Sequence, residues 1–279
     1  MCLVMMTDME GCAGINNFHD WVFPGGMFYD TGREILTEEV NAAARAFFEN
    51  GFEEILVLDA HGHGGVNILQ LDERLLYQRG WVGPYPMGMT ERYDALAFIG
   101  QHAKASTPFA HLAHTSSLNI LDQRINGISV GEFGMTVFMA ASLGIRPIYG
   151  SGDKAFCAEA KALCPNIHTT CVKEGLMPGT GYHCTTAEYY DRNIAAVHMH
   201  PKAARKKIYE EASAAARAFL AEPEKYRMEP LQGPFTVEID YRTDFPGIPA
   251  CMRYEHETDL IAALNKSWNE RPASADVSR

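Results

Sequence analysis

Three short apolar runs each stop in the same kind of cluster, and this repetition constrains the fold more than any other feature. Cys2–Thr7 ends in Asp8-Met9-Glu10-Gly11. Ile55–Leu58 ends in Asp59-Ala60-His61-Gly62-His63-Gly64-Gly65, and Ala95–Ile99 in Gly100-Gln101-His102-Ala103. Runs of this kind read as buried strands. Between the first two, residues 34–50 carry Ile35, Leu36, Val40, Ala43, Ala44, Phe47 and Phe48 at helical spacing, with Asn50-Gly51 as a stop. Strand, helix, strand in this order predicts an α/β fold with a mainly parallel central sheet flanked by helices. Ligands of such sheets bind at the carboxyl ends of the strands, where these clusters fall.

The rest of the chain continues the pattern and then changes. Asn126-Gly127 is the preferred two-residue hairpin turn, set in an alternating stretch. A helix is expected from Glu132 to Leu143, a strand at Arg146–Tyr149, a helix capped by Asp153 up to Leu163, and a strand at Ile167–Val172. Residues 174–184 are dense in Gly and Pro and read as a loop. A long helix at Pro201–Leu220, a strand at Phe235–Tyr241 and a closing helix at Glu257–Trp268 form a smaller α+β C-terminal portion. The expected division is a metal-binding α/β domain at 1–190, a helix–strand–helix portion at 191–270 and a flexible tail at 271–279.

Composition narrows the function classes. The chain has 279 residues, enough to bury a large core without disulfides. Its formal charge of −11 argues against binding nucleic acid or an anionic membrane, which calls for a basic face. No apolar run has the length of a bilayer span, and the start lacks the basic region of a signal peptide. The seven cysteines are odd in number and form no C-x-x-C pair, so a reducing cytoplasm is the expected location.

The strand-end clusters supply oxygen and nitrogen donors. Asp8 and Glu10 stand two residues apart, on the same side of a regular strand. Two such carboxylates repel unless a cation sits between them. His61, His102 and Glu132 extend the set to five, which suits two metal ions sharing one carboxylate at roughly 3.5–4 Å. These ligand types fit zinc, and also manganese or cobalt. Singly, each has a plainer reading: an Asp as a cap, a His as a hydrogen-bonded core residue. Two further imidazoles, His111 and His114, follow within a dozen residues of His102. Either could shuttle a proton or steady an oxyanion, or be an ordinary loop residue. His63 could be a ligand or a supporting residue. His198 and His200 read as a helix entry, and His19, His168, His183 and His256 as structural or surface residues. The phosphate-loop, dinucleotide-binding and serine-elbow patterns do not occur.

Taken together, DMEG (8–11), TEEVN (37–41), the D-x-H element at 59–61, GQHAKASTP (100–108), LAHTSS (112–117) and NGISVGEFG (126–134) resemble the D-aminopeptidase family of dinuclear zinc peptidases. This is the type found with bacterial dipeptide-transport operons. The likeness runs from residue 1 to about residue 175, and more loosely beyond. It implies two zinc ions held by Asp8, Glu10, His61, His102 and Glu132, with Asp8 bridging, and a catalytic histidine at His114. It also implies cleavage of the N-terminal residue of short, D-amino-acid-containing peptides, and a homodecamer of two stacked pentamers. Competing readings are a metallo-hydrolase of L-peptides, another small amide or a phosphoester, and a metal-free binding protein.

Overall fold

The computed structural model describes residues 1–244 and 249–271. The expected tail lies outside them from residue 272 onward. In chain order the elements are β1 Cys2–Thr7, α1 Phe18–Trp21, α2 Tyr29–Glu49, β2 Glu54–Asp59, β3 Leu76–Gln78 and β4 Ala95–Gln101. Then follow β5 Ile120–Ile125, β6 Ile128–Ser129, α3 Glu132–Ser142, β7 Arg146–Asp153, α4 Lys154–Leu163 and β8 His168–Gly175. The last are α5 Thr186–Arg192, β9 Ala196–His198, α6 Pro201–Ala221, β10 Phe235–Tyr241, β11 Cys251–His256 and α7 Leu260–Asn269.

Seven strands form the main sheet in the order β3-β2-β1-β4-β7-β8-β9. All pair in parallel except β9, which runs antiparallel to β8 at the edge. A second, antiparallel sheet has the order β11-β10-β5-β6. Its C-terminal strand β10 pairs with β5 from the first half of the chain, whereas β9 and α6 pack with the main sheet.

Alternation explains the two cores. Along β1, Leu3 and Met5 face α2 and α6, while Val4 and Met6 face α3, α7 and the small sheet. Both sets are buried, which is why β1 reads as one unbroken apolar run. Strand β4 is buried at every position, so the centre of the sheet is sealed on both faces.

Local signals act as their chemistry dictates. Asn126 and Gly127 both adopt positive φ, as the tight hairpin turn demands. The Asp153 carboxylate accepts the Phe156 N–H at 2.8 Å and caps α4. Helix α2 begins at Tyr29, five residues before the apolar periodicity does, because its first turns carry Asp30, Gly32 and Arg33. Helix α5 has a capping box, with Thr185 and Glu188 each satisfying the other's backbone N–H.

The order of the main sheet reverses between β1 and β4, which opens a crevice at their carboxyl ends. The two exits touch there. A Cβ at Gly11 would stand 2.2 Å from the Gln101 carbonyl oxygen, and one at Gly100 would stand 2.1 Å from that of Asp8. Glycine at both places lets the strand ends cross in contact, joined by Gly11 N–H to Gly100 O at 2.7 Å.

Candidate metal centre

Asp8 follows β1, His61 follows β2, His102 follows β4 and Glu132 opens α3, so four separate elements deliver the donors to one crevice. Two groups result. Asp8, Glu10 and His61 form one, and His102, His114 and Glu132 the other, each with ligand atoms within 4.8 Å of one another. Asp8 reaches both: its Oδ1 lies 3.3 Å from His61 Nδ1 and its Oδ2 lies 3.1 Å from His102 Nε2. Glu10 Oε2 is 3.2 Å from His61 Nδ1, and Glu132 Oε2 is 3.7 Å from His102 Nε2.

Backbone carbonyls set the imidazoles. His61 Nε2 donates to Val22 O at 2.9 Å, which leaves Nδ1 turned to the two carboxylates. His102 Nδ1 donates to Ala103 O at 2.9 Å, which leaves Nε2 facing Asp8 and Glu132. His114 Nδ1 donates to Leu112 O at 3.0 Å, and its Nε2 lies 3.8 Å from Glu132 Oε1. The His114 and His102 rings stack with centroids 4.0 Å apart. Gln101 Nε2 donates to Asp8 Oδ2 at 3.1 Å, and the Ser116 N–H donates to Glu132 Oε1 at 2.8 Å.

Charge is concentrated here and kept from water. Burial pushes the Asp8 carboxyl up, but the His102 and His61 imidazoles outweigh it and hold Asp8 below the usual carboxylate range. Burial pushes both imidazoles down, yet Glu10 and Asp8 carry His61, and Glu132 and Asp8 carry His102, well above their ordinary range. Glu10 Oε2 and His102 Nε2 are buried without a hydrogen bond, although carboxylate or imidazole atoms lie close by. A close cluster of oxygen and nitrogen donors, two of whose buried atoms make no hydrogen bond, fits divalent cations of the zinc type.

The remaining predicted residues sort by position. His111 lies outside both donor groups. It is buried, with Nε2 at 3.2 Å from the carbonyls of Asn16 and Ile194. His63 lines the cavity edge-on to Phe23 and belongs to neither group. His198 lies in β9 and accepts the Gly14 N–H, and His200 caps α6. Asp59 is buried and accepts from Gly65 N–H, Val66 N–H and the Tyr77 hydroxyl, so it shapes the loop that carries His61.

Sequence reasoning missed Arg79. Its guanidinium donates to the carbonyls of Asp59, His61 and Gly62, and so grips the His61 loop from outside. A lone arginine after a short strand carries no sequence signal of that role. Gln101 was equally hidden, although it adjoins His102.

The donors line a cavity of about 640 Å³, with Phe18, Phe23, Trp81, Tyr85 and Trp268 also on its wall. Fold and donor set define an α/β protein with a candidate dinuclear metal centre at the switch point of its sheet. A family model described as D-aminopeptidase matches residues 1–246, and the chain belongs to that peptidase family. A curated D-aminopeptidase of Bacillus subtilis (strain 168) is 32% identical over 177 residues, covering 62% of this chain and 64% of that protein. The match thus spans just under two thirds of that relative's length. The solved structure of the Zn-dependent D-aminopeptidase DppA from Bacillus subtilis, a self-compartmentalizing protease, shares the fold. It has a TM-score of 0.79, 24% identity and coverage of 95% of each chain. Among the described residues, no helix is long and apolar enough to cross a membrane.

Proposed function

We propose that this chain is a metal-dependent aminopeptidase that removes the N-terminal residue of short peptides, with D-residues preferred. Asp8, Glu10, His61, His102 and Glu132 would hold two zinc ions, with Asp8 shared. The observation that carries this reading is the meeting of two donor groups at one buried carboxylate inside a peptide-sized cavity. Bound there, the metals lower the pKa of a water and polarise the scissile carbonyl.

The chain's own groups do the rest. His61 and His102 keep their ring N–H groups on backbone carbonyls, so their free nitrogens stay aimed inward. His114 also places its N–H on a backbone carbonyl, so its Nε2 is a bare acceptor within the site. It takes a proton there and returns it to the leaving amine. The free α-amine of the peptide would be held at a metal or at an acidic group of the donor wall, which limits cleavage to the first residue. Phe18 and Phe23 add apolar surface that excludes water.

Matched D- and L-dipeptides, assayed after reloading with zinc, test this reading. Release of the N-terminal residue, faster in the D series, is the expected result. Faster L cleavage would keep the chemistry and reverse the handedness. No cleavage in either series by metal-loaded protein would overturn the proposal. By analogy with the self-compartmentalizing relative, we place this chain in a cytoplasmic homodecamer of stacked pentamers. Light scattering should then give about ten times the 30.9 kDa chain mass.

A further inference from the structure

A lysine is buried beside the loop that carries Glu10, and the steps above leave it unused. Lys173 stands in β8 and is 2% exposed. Its ammonium donates to the carbonyls of Glu10 and Ile15, the latter at 3.4 Å. Both residues belong to the connection from β1 to α1, Glu10 near its start and Ile15 near its end. One cation thus draws together the two ends of that segment. The connection has no regular secondary structure, so its buried backbone groups need partners from elsewhere in the fold.

The neighbours of Lys173 grip the same segment. Asp153 of β7, Lys173 of β8 and His198 of β9 stand in register, side by side across three strands of the main sheet. His198 Nδ1 accepts the Gly14 N–H at 3.0 Å. Asp153 accepts the His111 N–H at 3.0 Å, and His111 Nε2 lies 3.2 Å from the Asn16 carbonyl. Glu39 of α2 accepts the Ala13 N–H at 3.0 Å. Among these contacts, that of Lys173 is the one made to a donor residue itself. The Glu10 carboxylate lies 3.2 Å from His61 Nδ1, so the place where its backbone is held decides where it meets an ion. A buried ammonium is costly, and an apolar side chain of like length would fill the same space. Two carbonyls gripped at once are what an apolar side chain could not supply.

We propose that Lys173 is a positioning residue for the metal centre: by clamping the Glu10 and Ile15 carbonyls it fixes the Glu10 carboxylate against His61, and so sets the affinity of the ion on the Glu10 side while leaving the ion beside Glu132 unchanged. This rests on the reading of Glu10 as a metal ligand, and adds to the centre a residue from β8, two strands beyond β4.

The test titrates zinc into the full-length, metal-stripped protein by calorimetry, with chelator competition for the tighter ion and near-ultraviolet circular dichroism as a check on the fold. Wild type should bind two ions. Lys173→Met should bind one at wild-type affinity and the other about tenfold or more weakly, the usual loss when a supporting partner is removed. In a Glu10→Gln background, Lys173→Met should add little, because the lysine acts through that carboxylate. A lysine that serves the fold alone would leave both affinities as in wild type, and that result would overturn the proposal. Equal weakening of both ions, or full additivity with Glu10→Gln, would overturn it too. Should Lys173→Met not fold, Lys173→Met/Glu39→Gln takes its place, since it removes both ionisable groups together and leaves the Ala13 N–H an acceptor in the glutamine oxygen. The same outcomes decide there, and failure of both variants to fold overturns the proposal. Peptide cleavage plays no part in these readings. A wild type that binds fewer than two ions overturns the dinuclear reading and this proposal with it. A wild type with two ions and a variant with the same two affinities overturns the role of Lys173 alone.

Discussion

Two histidines three residues apart have opposite chemistry, and their surroundings explain it. His114 sits on the cavity beside Glu132 and His102. His114→Ala should keep the metal and lose turnover by roughly 10²–10⁴-fold, the usual yield of a positioned acid–base. Metal analysis alongside kcat checks this, and an active variant removes the assignment. His111 is buried in the protein interior. Burial, then Lys173 and His198 nearby, push its imidazole down to about 2. As pH falls from about 6.5 toward that value, the unfolded chain takes up a proton that the folded chain refuses, so stability falls with pH across the window. Urea unfolding between pH 7 and pH 5 should show a slope of at most about 1.4 kcal/mol per pH unit from this group. In His111→Gln that contribution should vanish, and an unchanged slope would assign the acid sensitivity elsewhere. From sequence these two residues were hard to separate. Both lie in one loop, and only the backbone path decides which imidazole meets Glu132.

Elements differ in how openly the sequence announces them. β1, β2 and β4 are legible because burial on both faces forces continuous apolar runs. β3 and β9 have three residues each and lie at the sheet edges, where partial exposure leaves no pattern to read. Helix α5 had a readable start in Thr185 and Glu188, masked by the Gly- and Pro-rich loop before it. Of the candidate donors, Asp8, Glu10, His61 and His102 were visible at strand ends and Glu132 at the start of a helix. The carbonyls of Val22, Ala103 and Leu112 that orient the imidazoles were not, since any residue type supplies one. Arg79 belongs to this hidden layer, just beyond β3. Arg79→Gln should free the His61 loop and weaken metal affinity by about tenfold, as loss of a supporting partner does. Competition with a zinc chelator reads this directly, and wild-type affinity in the variant would show that the loop holds its shape unaided.

At the scale of the whole molecule, the centre ties together elements from distant parts of the sequence. β1, β2, β4 and α3 each hold one end of it, so a bound ion acts as a cross-link in the folded chain alone. Chelation should lower the thermal midpoint and reloading should restore it. A ligand at a hundred times its Kd stabilises by about 2.7 kcal/mol. An unchanged midpoint after complete metal removal would mean that the donors hold no ion. The α/β class was readable in outline from the order of elements. The pairing of β10 with β5 was not, because no local pattern marks contacts between segments more than a hundred residues apart.

The contact at Gly11 and Gly100 has one more implication. Main chain meets main chain there, with no side chain between, so the interval separating the two halves of the centre is a dimension of the polypeptide itself. Evolution or an engineer can exchange donors and thereby retune which ion is preferred, while the spacing of the two donor groups stays where the adjoining strand ends put it.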